Sequence, residues 1–176
     1  MHRAHSSLGI ALAVLGMAAC GDSSGPVETT HVSLQDQCEP ASFNAALGAG
    51  TCTRQGSVTF AQFNAELSSS HQVAAWRFVP SAIAIHVGQA ITVINDGGET
   101  HTFTQVENFG GGIVPSLNQA SGNTVEAPEC AQITAADMVA SGATHTGDVE
   151  TAASIGTERY QCCIHPWMRA VVTIKS

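Results

Sequence analysis

The alternation of hydrophobic and polar positions predicts that most of the chain forms short β-strands. In AIAIHV, Ile83, Ile85 and Val87 share one face of the predicted strand and His86 lies on the other. The runs VAAWRFVP, AITVIN and THTFTQV show the same period of two, and Gly88 and NDGGE mark turns. TERYQC and RAVVTIK resume the strand pattern near the end of the chain. Repeated short runs of this kind predict an all-β fold, a β-sandwich.

One segment before these strands has the periodicity of a helix. In VTFAQFNAEL, Phe60, Phe63 and Leu67 have the i, i+3, i+7 spacing of an amphipathic helix, and Ser57 and Thr59 are candidate caps. We therefore expect one short N-terminal helix that packs its apolar face on the core.

A second segment shows little regular pattern. Residues 107–157 are low in charge and rich in Gly, Ala, Ser and Thr, and they indicate only one helical turn, near residues 134–138. We expect a long, loop-rich insertion between strands.

Composition narrows the classes of function. The 176 residues are 44% hydrophobic, which predicts one main folded domain. Only 11% are charged, and 6 basic residues stand against 14 acidic ones, which argues against a nucleic-acid-binding surface. The sequence contains no H-E-x-x-H and no glycine-rich phosphate loop, so we expect a protein that is not an enzyme.

The N-terminus has the pattern of an export signal. A weakly basic head precedes a short apolar run from Leu8 to Ala19, then Cys20 and GDSSGP, which predicts a signal peptide over residues 1–19. Its Ala-Ala-Cys-Gly ending resembles a bacterial lipoprotein signal, which implies lipidation of Cys20 and a periplasmic or cell-envelope location. Plain secretion with a free cysteine is the alternative. Residues 20–36 are expected to form a flexible tether, and residues 37–176 the folded domain.

Export places the cysteines in an oxidising compartment, where pairs become disulfides. Cys38 and Cys52 close a loop of about 15 residues, and their disulfide is worth about 3 kcal/mol by restriction of the unfolded chain. Apart from Cys20, three cysteines remain, namely Cys130, Cys162 and Cys163. An odd number implies that one of the adjacent pair is spare and serves a different role.

The segment QCCIHPWM carries the strongest chemical signal. Cys162, His165 and Met168 are each three residues apart, and His101 shares the apolar face of an upstream strand with Phe103. Two histidines, one cysteine and a distant methionine are the donor set of blue-copper electron-transfer sites. Structural zinc sites usually complete their tetrahedron with Cys or His and not with a thioether, which makes zinc the weaker interpretation. Core packing is the alternative role for Met168.

At these residues the sequence resembles the cupredoxins. CCIHPWM is similar to the ligand loop of amicyanin-like members, and FVPSAIAIHVGQAITVINDGGETHTF resembles the family's pattern of strand, glycine turn, strand, asparagine and first histidine ligand. The resemblance covers about residues 78–176, apart from the insertion. It implies a Greek-key β-sandwich that binds one type 1 copper ion through His101, Cys162, His165 and Met168.

The same resemblance implies a function. We expect an exported mononuclear blue-copper protein that carries single electrons between redox partners, with His165 near the surface as the electron port. Pro166 and Trp167 would lie in the docking patch. Thr102 stands where many members have an asparagine that ties the two ligand loops together, and we expect its hydroxyl to replace the asparagine. The alternative is a copper-holding or copper-delivery protein without an electron-transfer role.

The ligand assignment leads to a second disulfide. With Cys162 as the thiolate, Cys163 pairs with Cys130, because neighbours on a strand face opposite ways. The alternative joins Cys162 to Cys130 and leaves Cys163 free. Four further histidines have no partners at useful spacing and are expected on the surface: His31, His71, His86 and His145.

Overall fold

A computed structural model describes residues 26–176 of the chain. The predicted signal peptide and Cys20 lie outside these residues. The strands are β1 (Thr29–Gln35), β2 (Arg77–Val79), β3 (Ala82–His86), β4 (Ala90–Asn95), β5 (His101–Thr102), β6 (Thr104–Val106), β7 (Met138–Val139), β8 (Thr144–Thr146), β9 (Gly156–Gln161) and β10 (Arg169–Lys175). The α-helices are α1 (Pro40–Leu47), α2 (Phe60–Ser70) and α3 (Pro115–Ala120).

Two four-stranded sheets form the body of the described structure. Their strand orders are β2-β1-β4-β8 and β3-β10-β9-β6, and β5 pairs with β7 in a separate two-stranded sheet. In β3, Ile83 and Ile85 are buried and His86 is exposed, as the alternation predicted. Their side chains join Val32 and Val93 of the other sheet in one hydrophobic core. The chain is therefore mostly sheet, and the prediction of a sandwich is consistent with it.

The predicted helix is present as α2. It begins after the cap Thr59, whose hydroxyl accepts a hydrogen bond from the backbone N–H of Gln62, while the Gln62 side chain accepts one from the N–H of Thr59. Phe63 and Leu67 are buried on its inner face.

The expectation of a single helix is wrong, because α1 and α3 are also present in the described residues. Helix α1 has eight residues, of which Phe43 alone is buried. It has no helical apolar stripe from which it could be predicted. Tertiary contacts hold it instead. Glu39 caps its first turn, and the Asn44 side chain exchanges two hydrogen bonds with the backbone of Cys52, each 2.9 Å long.

The expectation of a flexible tether over residues 20–36 is also wrong in its second half. Strand β1 lies there, and its Val32 and Leu34 side chains are fully buried. It pairs antiparallel with β2 and parallel with β4, which places it inside a sheet. The alternating pattern in this strand is short, and its partner β4 is distant in sequence. The folded domain therefore begins by Thr29, and not at residue 37.

The insertion over residues 107–157 is loop-rich, as predicted, with short elements that tie it to the sheets. Its β8 pairs with β4, and its β7 pairs with β5. The expected helical turn is a 3-10 turn at Ala135–Asp137, capped by Thr134. Within residues 26–176, no helix has the length and apolar character needed to span a membrane.

Candidate metal centre

The hairpin of β9 and β10 brings two of the predicted donors together. Cys162 follows β9 directly, and the chain returns at Arg169, which pairs with Gln161. Inside the turn, the N–H of Met168 donates to the His165 carbonyl (2.9 Å), and the N–H of Cys162 donates to the Met168 carbonyl (3.0 Å). These bonds fix the turn so that the side chains of Cys162 and His165 reach the same point. His101 approaches that point from β5.

Three ligand atoms converge in the interior. The Cys162 Sγ lies 3.9 Å from His101 Nδ1 and 3.8 Å from His165 Nδ1, and all three atoms lie within 4.8 Å of one another. An ion bound in a trigonal plane, with bonds of about 2.0 Å to nitrogen and about 2.3 Å to sulfur, separates the sulfur from each nitrogen by about 3.7 Å. The three side chains therefore fit one metal ion with little movement.

Met168 lies in the same turn. It is 1% exposed and belongs to the hydrophobic cluster that contains Cys162. The donor set of a blue-copper site consists of two imidazoles, a thiolate and a distant thioether. The role of Met168 as the fourth, weak donor stays a prediction.

The protein environment favours the thiolate form of Cys162. Its Sγ accepts hydrogen bonds from the backbone N–H groups of Thr102 and His165, each at 3.4 Å. Burial by itself raises the pKa of Cys162, but the hydrogen bonds and charges of His101 and His165 hold that pKa well below its ordinary value. The thiolate is the form that binds metals, so this environment favours metal binding at Cys162.

A buried carboxylate binds the outer nitrogen of His101. The Asp36 Oδ2 lies 2.9 Å from His101 Nε2, and neither side chain is exposed. Burial raises the Asp36 pKa, but the hydrogen bond and charge of His101 and backbone hydrogen bonds from Glu99 and Gly98 lower it to about 2. Burial lowers the His101 pKa, but Asp36 and Cys162 raise it to about 9. Because Nε2 donates to Asp36, Nδ1 faces Cys162.

A second carboxylate lies beside His165. The Glu99 Oε2 is 3.6 Å from His165 Nε2 and accepts a 2.7 Å hydrogen bond from the Trp76 indole N–H. Burial raises the Glu99 pKa against the opposing charge of His165. Neither Asp36 nor Glu99 is among the site residues predicted from sequence. Asp36 lies in the segment interpreted as a tether, and the only available signal is an acidic residue that directly follows the short alternating run HVSLQ.

His165 is less accessible than expected. It is 3% exposed, whereas the sequence resemblance predicts a histidine near the surface. Its ring centroid lies 5.5 Å from that of Trp167, which lies 6.0 Å from that of Phe63 on α2. The N-terminal extension, residues 29–76, contributes Phe63 of α2, which packs against Trp167, and Trp76, whose indole N–H donates to the Glu99 carboxylate beside His165. Trp167 itself is half-buried.

The link expected from Thr102 is present. Its hydroxyl accepts a 2.8 Å hydrogen bond from the N–H of Cys163, which ties β5 to the loop that carries Cys162. Cys163 is bonded to Cys130, and Cys38 to Cys52, as predicted. Within residues 26–176, Cys162 is the cysteine outside a disulfide. The four histidines predicted to lie on the surface are all exposed: His31, His71, His86 and His145.

Comparison with known proteins gives structural neighbours only. No protein-family model and no curated protein matches the chain. A purple cupredoxin from Nitrosopumilus maritimus is 15% identical over 82% of this chain and 98% of that protein, with a TM-score of 0.44. Oxidised plastocyanin from Dryopteris crassirhizoma is 14% identical over 83% and 100%, with a TM-score of 0.40. A mutant amicyanin in its Cu(I) form is 17% identical over 59% and 78%, with a TM-score of 0.39. Because these values are low, the proposals below rest on the side chains of this chain.

Proposed function

We propose that the protein is an exported, mononuclear blue-copper protein that carries single electrons between redox partners. The observation that carries the proposal is the convergence of Cys162 Sγ, His101 Nδ1 and His165 Nδ1 at 3.8 to 3.9 Å in the protein interior. Met168 is the proposed weak axial donor. A copper ion bound there supplies the one-electron couple between Cu(II) and Cu(I).

The described residues restrain the proposed donors. Backbone N–H groups of Thr102 and His165 point at the Cys162 sulfur, and Asp36 fixes the ring of His101. Burial excludes water from all three donors. A site whose donors are already restrained changes little when the metal changes oxidation state, and this is what a carrier of single electrons requires.

The proposed cellular setting is the periplasm or cell envelope, with lipidation of Cys20 as the anchor. Two disulfides within residues 26–176 support an oxidising compartment. The proposed docking region for a redox partner is the surface around Trp167, which is the half-buried side chain in contact with His165.

One observation favours a second candidate, a copper-holding or copper-delivery protein. His165 is 3% exposed, so a partner protein has little direct access to an imidazole edge. An electron carrier would need to exchange electrons across Trp167 or the covering extension. The two candidates differ in redox behaviour: a carrier cycles reversibly between Cu(II) and Cu(I), and a holder is stable with Cu(I) alone.

The test is to load the domain from Gly21 to Ser176 with Cu(II) and to record its visible absorption and electron paramagnetic resonance spectra before and after mild reduction. We expect an intense blue thiolate-to-copper band with compressed copper hyperfine splitting, bleached and restored reversibly. Cys162→Ser should abolish the band, whereas Cys130→Ser/Cys163→Ser should retain it, because these two residues form a disulfide. A colourless or irreversibly reduced product would reject the electron carrier.

A further inference from the structure

The surroundings of Asp36 are those of an ionised carboxylate. Its two oxygens accept hydrogen bonds from the backbone N–H groups of Cys38 (3.1 Å), Gly98 (2.9 Å) and Glu99 (3.0 Å), in addition to the one from His101. Three fixed backbone donors stabilise a negative charge in an interior that water does not reach.

The turn that provides two of these donors is shaped for the carboxylate. In the NDGGE segment, a Cβ added at Gly97 would collide with the Asp36 carboxylate, and a Cβ at Gly98 would come within 2.5 Å of the Cys38 Sγ. The Cys38–Cys52 disulfide holds the other side, two residues after Asp36. The carboxylate therefore has one position, against the outer nitrogen of His101.

This contact determines which nitrogen of His101 carries the proton. A carboxylate that accepts from Nε2 keeps a proton there, so Nδ1, which faces the Cys162 sulfur, is the nitrogen left to bind a metal. Hydrogen bonds from the outer nitrogen of a metal-binding histidine to a carboxylate fix the ring and increase the basicity of the inner nitrogen. A more basic donor stabilises the more highly charged oxidation state of a metal.

We propose that Asp36 is a positioning residue that fixes His101 for metal binding and lowers the reduction potential of the centre by placing a buried negative charge beside a ligand. This inference rests on the proposed function, because it concerns the copper ion of that site. Oxidised copper has one more positive charge than reduced copper, so a nearby negative charge stabilises Cu(II) more than Cu(I). Coulombic interactions are strong in a dry interior, which is where this carboxylate lies.

The test replaces the charge and retains the shape. Asp36→Asn has the same size, and its carbonyl oxygen can still accept from His101 Nε2, while its NH2 group replaces the oxygen that accepts from the Cys38 and Gly98 N–H groups. We expect the variant to keep the blue band. Its affinity for Cu(I) relative to Cu(II) should rise by roughly tenfold to a hundredfold. The measured quantity is the reduction potential, which rises by about 59 mV for each factor of ten. The matched control is Asp148→Asn, which removes the same charge from an exposed position and should leave the potential unchanged.

A second measurement does not depend on the variant folding or on redox activity. In the wild-type Cu(I) protein, which is diamagnetic, nitrogen-15 magnetic resonance of His101 should show a protonated Nε2 whose proton is strongly deshielded and slow to exchange. A His101 with its proton on Nδ1, or with a rapidly exchanging Nε2 proton, would overturn the positioning role.

The failure of this inference can be told from the failure of the proposed function. A wild-type protein without the blue band rejects the blue-copper site itself. A blue wild-type protein with a blue Asp36→Asn variant of unchanged potential leaves the electron carrier standing and refutes the role of Asp36 in setting the potential.

Discussion

Thr102 offers a direct test of how the two ligand-bearing segments are joined. Its side chain is fully buried, and its hydroxyl accepts one hydrogen bond from the N–H of Cys163 (2.8 Å) and one from the Thr104 hydroxyl (3.0 Å). Thr102→Val has nearly the same shape but no acceptor. In this variant the buried backbone N–H of Cys163, which lies beside the proposed thiolate, has no acceptor.

The expected cost follows from that lost acceptor. A buried donor without a partner costs about 1–3 kcal/mol, so we expect the free energy of unfolding to fall by about 2 kcal/mol. Thr104→Val is the matched control. It removes the hydroxyl that donates to Thr102 but leaves the Cys163 N–H satisfied, and Thr104 is only partly buried, so its cost should stay below about 1 kcal/mol.

The assay is urea unfolding of the metal-free protein with its disulfides intact, so that metal binding adds nothing to the measured stability. The copper-loaded variants are then compared by electron paramagnetic resonance. Thr102→Val should change the hyperfine splitting, because Cys162 adjoins the released N–H, and Thr104→Val should not. Equal stabilities for the two variants, within about 0.5 kcal/mol, together with unchanged spectra, would refute the proposed link.

Three further predictions follow from other contacts. Cys130→Ala/Cys163→Ala removes the cross-link that closes 33 residues and should lower the free energy of unfolding by about 4 kcal/mol in urea. Phe63→Ala should lower the free energy of unfolding by about 3–5 kcal/mol. Because Phe63 contacts Trp167, the same change should speed reduction of the metal by small reagents, measured by stopped flow. Leu47→Ala, at an exposed site, should change neither quantity. Burial raises the pKa of Tyr160 above its ordinary value of 10.0, so Tyr160 should stay neutral in an ultraviolet titration through that value. Its contribution to the free energy of unfolding should be full below about pH 10 and should decline above it.

The convergence of Cys162, His165 and His101 can be predicted from the sequence because the signals are local. Cys162, His165 and Met168 lie in one turn, whose flanking strands have a clear alternation. His101 was found from the same period of two, which placed it on the apolar side, and it is fully buried. Spacing within a hairpin and the face of a strand are both fixed by neighbouring residues, so they can be inferred without the tertiary structure.

The surroundings of the donors could not be predicted in this way. Asp36 is 65 residues from His101 in sequence, and it reaches His101 because β1 pairs in parallel with β4. No local pattern specifies a parallel pairing between distant strands. Helix α2 was predicted from its apolar stripe, but the stripe does not reveal that Phe63 packs against Trp167 and helps to cover His165.

The N-terminal extension bears on the two candidate functions in different ways. In our proposal it acts through Asp36 on the relative stability of the two copper oxidation states, which is a thermodynamic property of the ligands. Through Phe63 and Trp76 it acts on access to His165, which is a kinetic property of the surface. A low potential with slow exchange and a low potential with rapid exchange are both compatible with the same donor set. The rate of electron exchange therefore tests the carrier in addition to the reversible change of colour.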